Sequence, residues 1–557
     1  MIRMSGLVGQ LRRGATPLEN HFADEFVAGR LDRRGLLRQG ARIGMGLPLL
    51  GALLGTLDPF AMPTARAQLG NQGGGKPGAT IRVACLMPSD AIDPVTVANA
   101  GGLVLLAQTG EFLAADGEDL VLRPALATSW TPNADGSIWT FALRPGVKFH
   151  NGHVLNADDV VATMDRLTDP KNGSNALSVL RGVLSVGGTK KLDDLTVAFH
   201  LDAPNGNFPY YVSSDNYNAI ILPADYAGDF EKNFNGTGPF KLDSYTPKVG
   251  ASFVRNPDYW GQRALPDRTE FSFFADQQPQ ILALQGKQVD VVVQLAVHGA
   301  QGLLNDPDVK LIKLHGASHR QVHMRTDMPK FADKRVRQAI ALTLDRPALV
   351  TGLFRGLADV GNDSPFAPIY PSTDKSVPQR AKDLARAREL LAAAGGGFAA
   401  TLTTERLQEI PDYAVLLKNA CAEIGVKLSL KVEDQSAYYG NAKFGTSDWL
   451  DAEIGITDYG HRGVPNVMLS APLLSTGSWN SSHFRNAAFD RLVGQYVAAI
   501  DLQTQRGIAK DIDTLLLDET PVIIAYFFNY ITAVSADVTG VRPTAIAQVD
   551  LQNAAIG

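Results

Sequence analysis

Two cysteines, Cys85 and Cys421, are all that this 557-residue chain offers for disulfide bonds or thiolate ligands. They allow one disulfide bond at most, and because each lies in an apolar segment, two buried free thiols are the alternative. Arg82 stands just before Cys85, and the N-terminal apolar segment is distant, so we expect no lipid-anchor cysteine here. The sequence therefore predicts a protein that is not a lipoprotein, and it leaves the pairing of the two cysteines open.

Long apolar runs and an excess of basic residues are also missing. Beyond residue 67 there is no run of 18 apolar residues, the length that would indicate a membrane-spanning helix. Residues 68–557 carry 43 Lys+Arg and 52 Asp+Glu, a net charge of −9, whereas nucleic-acid binding requires clustered Lys and Arg. These absences favour a soluble globular protein that binds no nucleic acid. At about 490 residues, this part exceeds one ordinary domain and predicts two or three lobes.

Catalytic and metal-binding motifs are absent from the sequence as well. No G-x-S-x-G, H-E-x-x-H, P-loop or C-x-x-C pattern occurs. The two imidazoles of His150-Asn-Gly-His153 flank a turn dipeptide, and a metal site needs three or four ligands. Asp158 and Asp159 follow a helix-capping Asn156, where acidic residues are explained by the helix dipole. The sequence therefore predicts a protein that is not an enzyme and that holds no metal or other cofactor.

The N-terminus resembles a secretory signal of the twin-arginine type. Arg33 and Arg34 precede an uncharged segment at 43–57, and a small-residue site, Ala65-Arg-Ala67, follows it. The segment is about 15 residues long, which is short against the roughly 20 needed to cross a bilayer, although a membrane anchor is the alternative. We predict that residues 1–67 are a cleaved signal, that 68–79 form a flexible spacer, and that the protein is periplasmic.

The segment from Arg123 to Val160 has the clearest order of elements in the chain. A turn at 133–136 separates two strand-like runs, residues 139–143 alternate bulky and small side chains, and a second turn at 144–152 precedes the capped helix. The pattern P-x-LA-x-x-W, N-x-DG, W-T-F-x-LR-x-GVKFH-x-G and A-x-DV resembles the signature of extracellular solute-binding proteins of family 5, the peptide/nickel class of ABC importers.

Further motifs extend this resemblance over nearly all of the chain beyond the signal. They lie at Ile92–Pro94, Asn235–Leu242, Arg255–Gly261, Leu282–Asp290, Lys330–Ala339 and Ala385–Gly395. The resemblance implies an α/β fold of two lobes, like type II periplasmic binding proteins, with an extra subdomain on lobe one.

The same resemblance implies where the lobes begin and end. We expect lobe one at 80–315, with the extra subdomain at about 96–186, lobe two at 316–520, and a segment at 521–557 that returns to lobe one. Two crossings between the lobes would form the hinge of a clam-shell closure.

Asp458 is the first candidate for a ligand-binding residue. Thr457-Asp-Tyr459 resembles the family's W-x-x-D segment, whose aspartate pairs with the ligand's α-amino group in peptide-binding members. A buried carboxylate that faces an ammonium group forms a charge-assisted hydrogen bond and selects a cationic end. The alternative is an ordinary aspartate in a surface loop.

The other candidates are aromatic or amide side chains near Asp458 in the sequence. Tyr459 and Trp479 are the predicted aromatic walls of the binding site. Asn480 begins a segment that resembles the family's N-x-x-x-F/Y-x-N-x-x-x-D pattern and either binds the ligand or frames the site. Tyr438 and Tyr439 are further aromatic candidates, with a place in the core as the alternative.

Two departures from the family pattern bear on the ligand. Arg325 stands where the family usually has asparagine. Its guanidinium group either binds a ligand carboxylate with two hydrogen bonds or forms an ion pair with Asp327. Some dipeptide receptors carry a carboxylate-binding arginine at the start of the helix that matches 413–424, but here Ile410-Pro-Asp412 has none. A free dipeptide is thereby disfavoured, whereas longer peptides, opines, amines, sugars and metal chelates remain open.

These observations predict a periplasmic receptor of an ABC importer. It binds a peptide or similar solute between two lobes, delivers it to a permease in the inner membrane, and is expected to be a monomer. A nickel or haem receptor of the same fold is the first alternative and needs a histidine cluster, for which His323, His461 and His483 are the candidates. An exported enzyme is the second alternative.

Overall fold

The first strand, β1 (Thr80–Leu86), lies where the apolar run at 80–87 predicts a core strand. The computed structural model describes residues 78–297 and 301–557, so the predicted signal at 1–67 and residues 68–77 of the predicted spacer lie outside the described residues. β1 is the middle strand of a seven-stranded sheet, and it pairs in parallel with both of its neighbours. A strand covered on both faces reads as a nearly continuous apolar run, which explains its sequence.

The seven-stranded sheet is the core of lobe one. Its other strands are β8 (Phe240–Thr246), β9 (Gly250–Arg255), β10 (Arg268–Phe274), β11 (Val291–Val292), β12 (Val309–Leu314) and β19 (Tyr530–Ser535). The strand order is β12-β19-β11-β1-β10-β9-β8.

A six-stranded sheet is the core of lobe two. Its strands are β13 (His319–Met324), β14 (Ala358–Val360), β15 (Ala399–Glu405), β16 (Lys427–Glu433), β17 (Ile454–Tyr459) and β18 (Val522–Phe528). Their order is β14-β18-β13-β17-β15-β16. All six residues of β13 are buried, and β17 and β18 pair with it on either side.

The chain passes between the two sheets twice. The first crossing is the short segment 315–318 between β12 and β13, and the second is Asn529 between β18 and β19. The sequence predicts that the returning segment begins at 521, but β18 pairs with β13 and β14 in lobe two. Six of its seven residues are buried, so this strand completes the core of lobe two before the chain returns.

A four-stranded sheet forms the extra subdomain. Its strands are β4 (Ala127–Pro132), β5 (Ile138–Leu143), β6 (Thr189–Asp193) and β7 (Thr196–His200), in the order β4-β5-β7-β6. The subdomain therefore extends past the predicted end near 186. Smaller two-stranded sheets pair β2 (Ala114–Asp116) with β3 (Leu122–Pro124), β20 (Val538–Thr539) with β23 (Ala555–Ile556), and β21 (Arg542–Pro543) with β22 (Val549–Asp550).

Helices cover the sheets. In chain order they are α1 (Ala100–Thr109), α2 (Ala157–Thr168), α3 (Leu177–Leu180), α4 (Phe208–Tyr211), α5 (Gln277–Gln285), α6 (Lys334–Leu342), α7 (Arg346–Phe354), α8 (Leu384–Ala393), α9 (Ile410–Ala422), α10 (Gln435–Tyr439), α11 (Asp448–Asp451), α12 (Asn466–Ser470), α13 (Ala487–Ala498) and α14 (Leu502–Glu519). Asn156 caps α2 and Asp333 caps α6, as predicted for both. Within the described residues, no helix has the length and apolarity needed to cross a bilayer.

The two cysteines are free thiols inside the protein. Cys85 on β1 and Cys421 on α9 are both buried. Burial raises the pKa of Cys421 to about 12 and that of Cys85 above the usual range. Neither thiol is therefore a nucleophile at neutral pH.

Gly236, in the glycine-rich motif that precedes β8, packs directly against the end of α1. A Cβ atom at this position would overlap the carbonyl oxygen of Thr109. The neighbouring Gly238 N–H donates to the same oxygen at 2.8 Å, and the Gly236 carbonyl accepts from the His150 N–H at 2.8 Å. The motif thus joins the subdomain turn at 144–152 to the helix beside β1, and only glycine fits at 236.

We predict that Gly236→Ala lowers the free energy of unfolding by about 1–3 kcal/mol, as overpacking against a fixed backbone does. The control is Gly352→Ala in α7, where an added Cβ meets nothing within 4 Å. Because alanine favours helix over glycine, this control should gain up to about 1 kcal/mol. Urea unfolding of both variants measures the difference, and equal effects would contradict the close approach at 236.

Candidate functional site

Arg320 is the buried centre of the candidate site. It lies on β13 directly opposite Asp458 on β17, and its side chain is 1% exposed. Its Nε donates to Glu409 Oε1 at 2.8 Å, its Nη2 donates to Glu409 Oε2 at 3.2 Å, and its Nη1 contacts Asp458 Oδ1. Nη2 also donates to Gln408 Oε1 at 2.9 Å. The guanidinium group is thus held between one carboxylate from the start of α9 and one from the end of β17.

A third carboxylate, Glu405, lies beside this pair at the end of β15. It is fully buried and accepts hydrogen bonds from Tyr439 Oη at 2.8 Å and from Gln435 Nε2 at 2.7 Å. Its Oε1 also accepts the Asp458 N–H at 3.3 Å. We call Arg320, Glu405, Glu409 and Asp458 the carboxylate cluster. When all are ionised it carries three negative charges and one positive charge.

Asp458 is the member of the carboxylate cluster that solvent reaches, because its side chain is 32% exposed. Burial raises the pKa of Asp458 above its ordinary value, Arg320 opposes this shift, and Glu405 and Glu409 add to it. Among the described residues, its Oδ2 has no hydrogen-bond partner. The carboxylate therefore has a free oxygen and a net negative surrounding, both of which favour a cation.

Four aromatic rings pack together beside Glu405, which accepts a hydrogen bond from one of them, Tyr439. The Tyr459 ring stacks on Trp479, with ring centroids 6.0 Å apart and planes at 23°. Trp449 lies 6.4 Å from Trp479 and 5.2 Å from Tyr439. The structure thus brings together the predicted Tyr439, Tyr459 and Trp479, and it adds Trp449. Tyr459 and Trp449 are buried, whereas Tyr439 and Trp479 are partly buried.

The other three predicted residues are committed to internal contacts. Tyr438 is fully buried and its Oη donates to the Ile456 carbonyl at 3.0 Å, so it lies in the core, which is the alternative given for it above. Arg325 donates from Nε and Nη2 to Asp327 at 2.8 and 2.9 Å, which is the ion-pair alternative. Asn480 donates to the carbonyl groups of Leu474 and Phe484 and accepts from Ser482 Oγ and the Phe484 N–H, so it frames the loop.

The three histidines that are candidates for a metal or haem site each contact a different backbone group. His323 contacts the Ala452 carbonyl at 3.2 Å, and His483 contacts the Leu450 carbonyl at 3.1 Å. His461 Nδ1 accepts the Ala317 N–H at 3.0 Å, and burial lowers its pKa to about 3. In the part of the chain that the structure describes, no three His, Cys, Asp or Glu side chains converge as metal ligands.

Sequence reasoning misses most of the carboxylate cluster. Arg320 sits in a strand that is otherwise read as core, and Glu405 and Glu409 lie more than 80 residues away from it in the chain. The sequence does contain one indication of the cluster, which is the charged Arg320 within an otherwise apolar strand. A buried charge needs a partner of opposite charge. The identity of those partners depends on strand order, which the sequence does not display.

Comparisons with known proteins agree with this architecture. Residues 121–472 match the family pattern described as bacterial extracellular solute-binding proteins, family 5. Heme-binding protein A of Haemophilus influenzae is 26% identical, with 72% of this chain and 78% of the relative covered. Di/tripeptide-binding protein 1 of Pseudomonas aeruginosa is 25% identical, with 72% and 79% covered. The solved structure of HbpA2 from Haemophilus parasuis gives a TM-score of 0.76 at 22% identity, covering 86% of this chain and 100% of that chain.

We predict that Arg320→Met lowers the free energy of unfolding by about 3–5 kcal/mol at pH 7.5, because it leaves buried carboxylates without their cation. The remaining carboxylates then have raised pKa values, so the deficit shrinks as pH falls and they become protonated. Urea unfolding at pH 7.5 and pH 5 measures both effects.

The matched control is Arg335→Met, which removes an exposed arginine that pairs with Asp333 at the surface. This control should leave the unfolding midpoint nearly unchanged at both pH values, since exposed ion pairs contribute little. A deficit in Arg320→Met that is independent of pH would show that lost packing, not uncompensated charge, causes the instability.

Proposed function

Because the chain belongs to the bacterial extracellular solute-binding proteins of family 5, we propose that it is the periplasmic receptor of an ABC importer. It binds a peptide or peptide-like solute between its two lobes and delivers it to a membrane permease. The arginine pair and the apolar segment within residues 1–67 support export through a twin-arginine signal. The protein acts as a monomer and not as an enzyme.

The carboxylate cluster is the observation that carries the choice of solute. Asp458 presents a free oxygen at the surface of a buried group that has more negative than positive charge. An ammonium group that binds there forms a charge-assisted hydrogen bond with Asp458. It neutralises part of the excess negative charge, as a Lys or Arg side chain would. The solute therefore has a cationic end, and the α-amino group of a peptide is the simplest one.

The aromatic wall supports an organic solute with an apolar part. Trp479 stacks on the buried Tyr459 and is itself only partly buried, so its ring is open to an apolar group of the solute. Pockets of this kind combine a few polar anchors with apolar and aromatic walls. A short peptide has both parts.

A nickel or haem receptor of the same fold is the alternative, and one of the relatives is a heme-binding protein. It would require histidine or other ligands that reach a common point, but His323, His461 and His483 bind different backbone groups. No observation on the described residues favours this alternative over a peptide-like solute.

The first experiment is to isolate the protein from the periplasm without refolding, denature it, and identify the released molecules by mass spectrometry with metal analysis of the same sample. A peptide or amine in stoichiometric amount supports the proposal. Haem or nickel in stoichiometric amount would replace it. For a protein isolated empty, thermal-shift measurements with free tripeptides, glutathione, haem and nickel(II)-histidine decide the same question.

We predict that Asp458→Asn lowers the affinity for tripeptides by about 10–100-fold, the effect of removing a hydrogen bond to a charged group. Calorimetry measures the affinity. N-acetylation of the tripeptides should cause a similar loss in the wild type and no further loss in the variant. The control is Asp327→Asn, which removes another arginine-paired aspartate and should bind like the wild type. An unchanged affinity in Asp458→Asn would contradict the anchor role.

The same anchor predicts a pH dependence. Only the ionised Asp458 attracts an ammonium group, and the pKa of this carboxyl is raised. Affinity should therefore be full above that pKa and fall as the pH decreases through it, with proton uptake by the free protein. Calorimetry between pH 4 and pH 8 should show this decline in the wild type and a flatter profile in Asp458→Asn.

A further inference from the structure

The segment 205–207 of lobe one lies against lobe two at the point where α13 ends and α14 begins. It follows β7 of the extra subdomain and leads into α4. The Gly206 N–H donates to the Val497 carbonyl at 2.8 Å. A Cβ atom at 206 would overlap the carbonyl oxygen of Ala499, so only glycine lets the two backbones approach this closely.

The side chain of Asn207 adds two hydrogen bonds to this contact. Its Nδ2 donates to Asn466 Oδ1 at 2.8 Å, at the start of α12, and its Oδ1 accepts from Gln505 Nε2 at 3.0 Å, on α14. All three side chains are buried. A further bond of the same kind runs from the Gly463 N–H to Asp215 Oδ1 at 2.5 Å. No member of the carboxylate cluster takes part in these bonds, which are made by protein groups alone.

The segment 205–207 is fixed on one side to the extra subdomain. The Asn205 N–H donates to the Gly136 carbonyl at 3.1 Å, in the turn between β4 and β5. The Asn205 carbonyl accepts from Trp139 Nε1 at 3.0 Å, and its Oδ1 accepts the Asn207 N–H at 2.9 Å. These bonds make the segment part of lobe one, so it moves with that lobe.

The helices on the other side are fixed to lobe two. Arg337 on α6 donates from Nε and Nη2 to the Glu519 carbonyl at the end of α14, at 3.0 and 2.6 Å. α13, α14 and the first residue of β18, Val522, share one apolar core cluster. The contacts of Gly206 and Asn207 therefore join parts of the chain that belong to different lobes.

We infer that the segment 205–207 is a latch between the lobes, which holds the closed form through protein groups alone and so changes the affinity for every solute by one common factor. The apparent affinity of a protein is its intrinsic affinity multiplied by the fraction in the binding-competent form. The latch acts on this fraction, whereas Asp458 is proposed to act on the solute. When the lobes open, water replaces the partners of the latch, so the net gain on closing is modest and closure is reversible. The inference rests on the proposed function, in which the solute binds between the lobes.

Two variants test the latch. Asn207→Ala removes both side-chain hydrogen bonds, and Gly206→Ala puts a methyl group where the closed form has the Ala499 carbonyl. Calorimetry of the full protein, freed from its own ligand, measures the affinities for several free tripeptides and for glutathione. Asn207→Ala should weaken all of them by about 5–100-fold, the value of two neutral hydrogen bonds, and Gly206→Ala by a similar factor through overpacking. The ratio of affinities between any two solutes should stay as in the wild type.

Asn256→Ala is the matched control, because Asn256 is also a buried asparagine of lobe one. Its Nδ2 donates to the Gly238 carbonyl and its Oδ1 accepts the Asp258 N–H, both at 3.1 Å and both within lobe one. This control should keep the wild-type affinities, and an equal loss would assign the effect to a damaged lobe one and overturn the latch. Small-angle X-ray scattering of the ligand-free proteins should give a larger radius of gyration for Gly206→Ala than for the wild type and the control.

The outcomes separate the latch from the proposed function. Unchanged affinities in both variants overturn the latch alone, and so does a loss that differs between solutes, because these residues would then contact the solute. A wild type that binds neither the tripeptides nor glutathione overturns the proposed solute class. Scattering then decides on the latch, and equal dimensions of the ligand-free wild type and Gly206→Ala overturn it as well. A common loss that keeps the preference for free over N-acetylated tripeptides, which Asp458→Asn reduces, supports both.

Discussion

The buried guanidinium group of Arg320 is the interaction on which the rest of lobe two depends. It joins β13, the start of α9 and the end of β17, and its Cζ lies 4.4 Å from the centroid of the Phe528 ring. β13 begins directly after the first crossing, and Phe528 directly precedes the second. The Phe528 N–H donates to the Ser318 carbonyl at 2.9 Å, which ties the two crossings together. The carboxylate cluster and the two crossings therefore share one set of contacts.

We propose that this arrangement couples binding of a solute to closure of the lobes. A solute shifts the balance between open and closed lobes only by the difference in its affinity for the two forms. A cation at Asp458 changes the charge around Arg320, whose neighbours are the residues next to both crossings. Contacts that lobe one adds on closure supply the rest of the difference.

The sequence predicted the fold well because its signals are local. Turn dipeptides, alternating strands and helix caps placed β1, β5 and α2, and the family motifs supplied the order of the elements. Asp458, Tyr459 and Trp479 were predicted as site residues because they stand in or near a recognised motif. The assignment of β18 was different, since a strand's apolar sequence shows that it is buried but not which of two sheets it joins.

The carboxylate cluster escaped prediction for a related reason. Glu405 and Glu409 meet Arg320 through strand pairing and helix packing between distant parts of the chain, and nothing near any of them in the sequence marks the pairing. At Tyr438, Arg325 and Asn480 the structure shows internal contacts, which the sequence had left open as the alternative for each. Composition alone does not distinguish a side chain that faces a solute from one whose polar atoms are satisfied inside the protein.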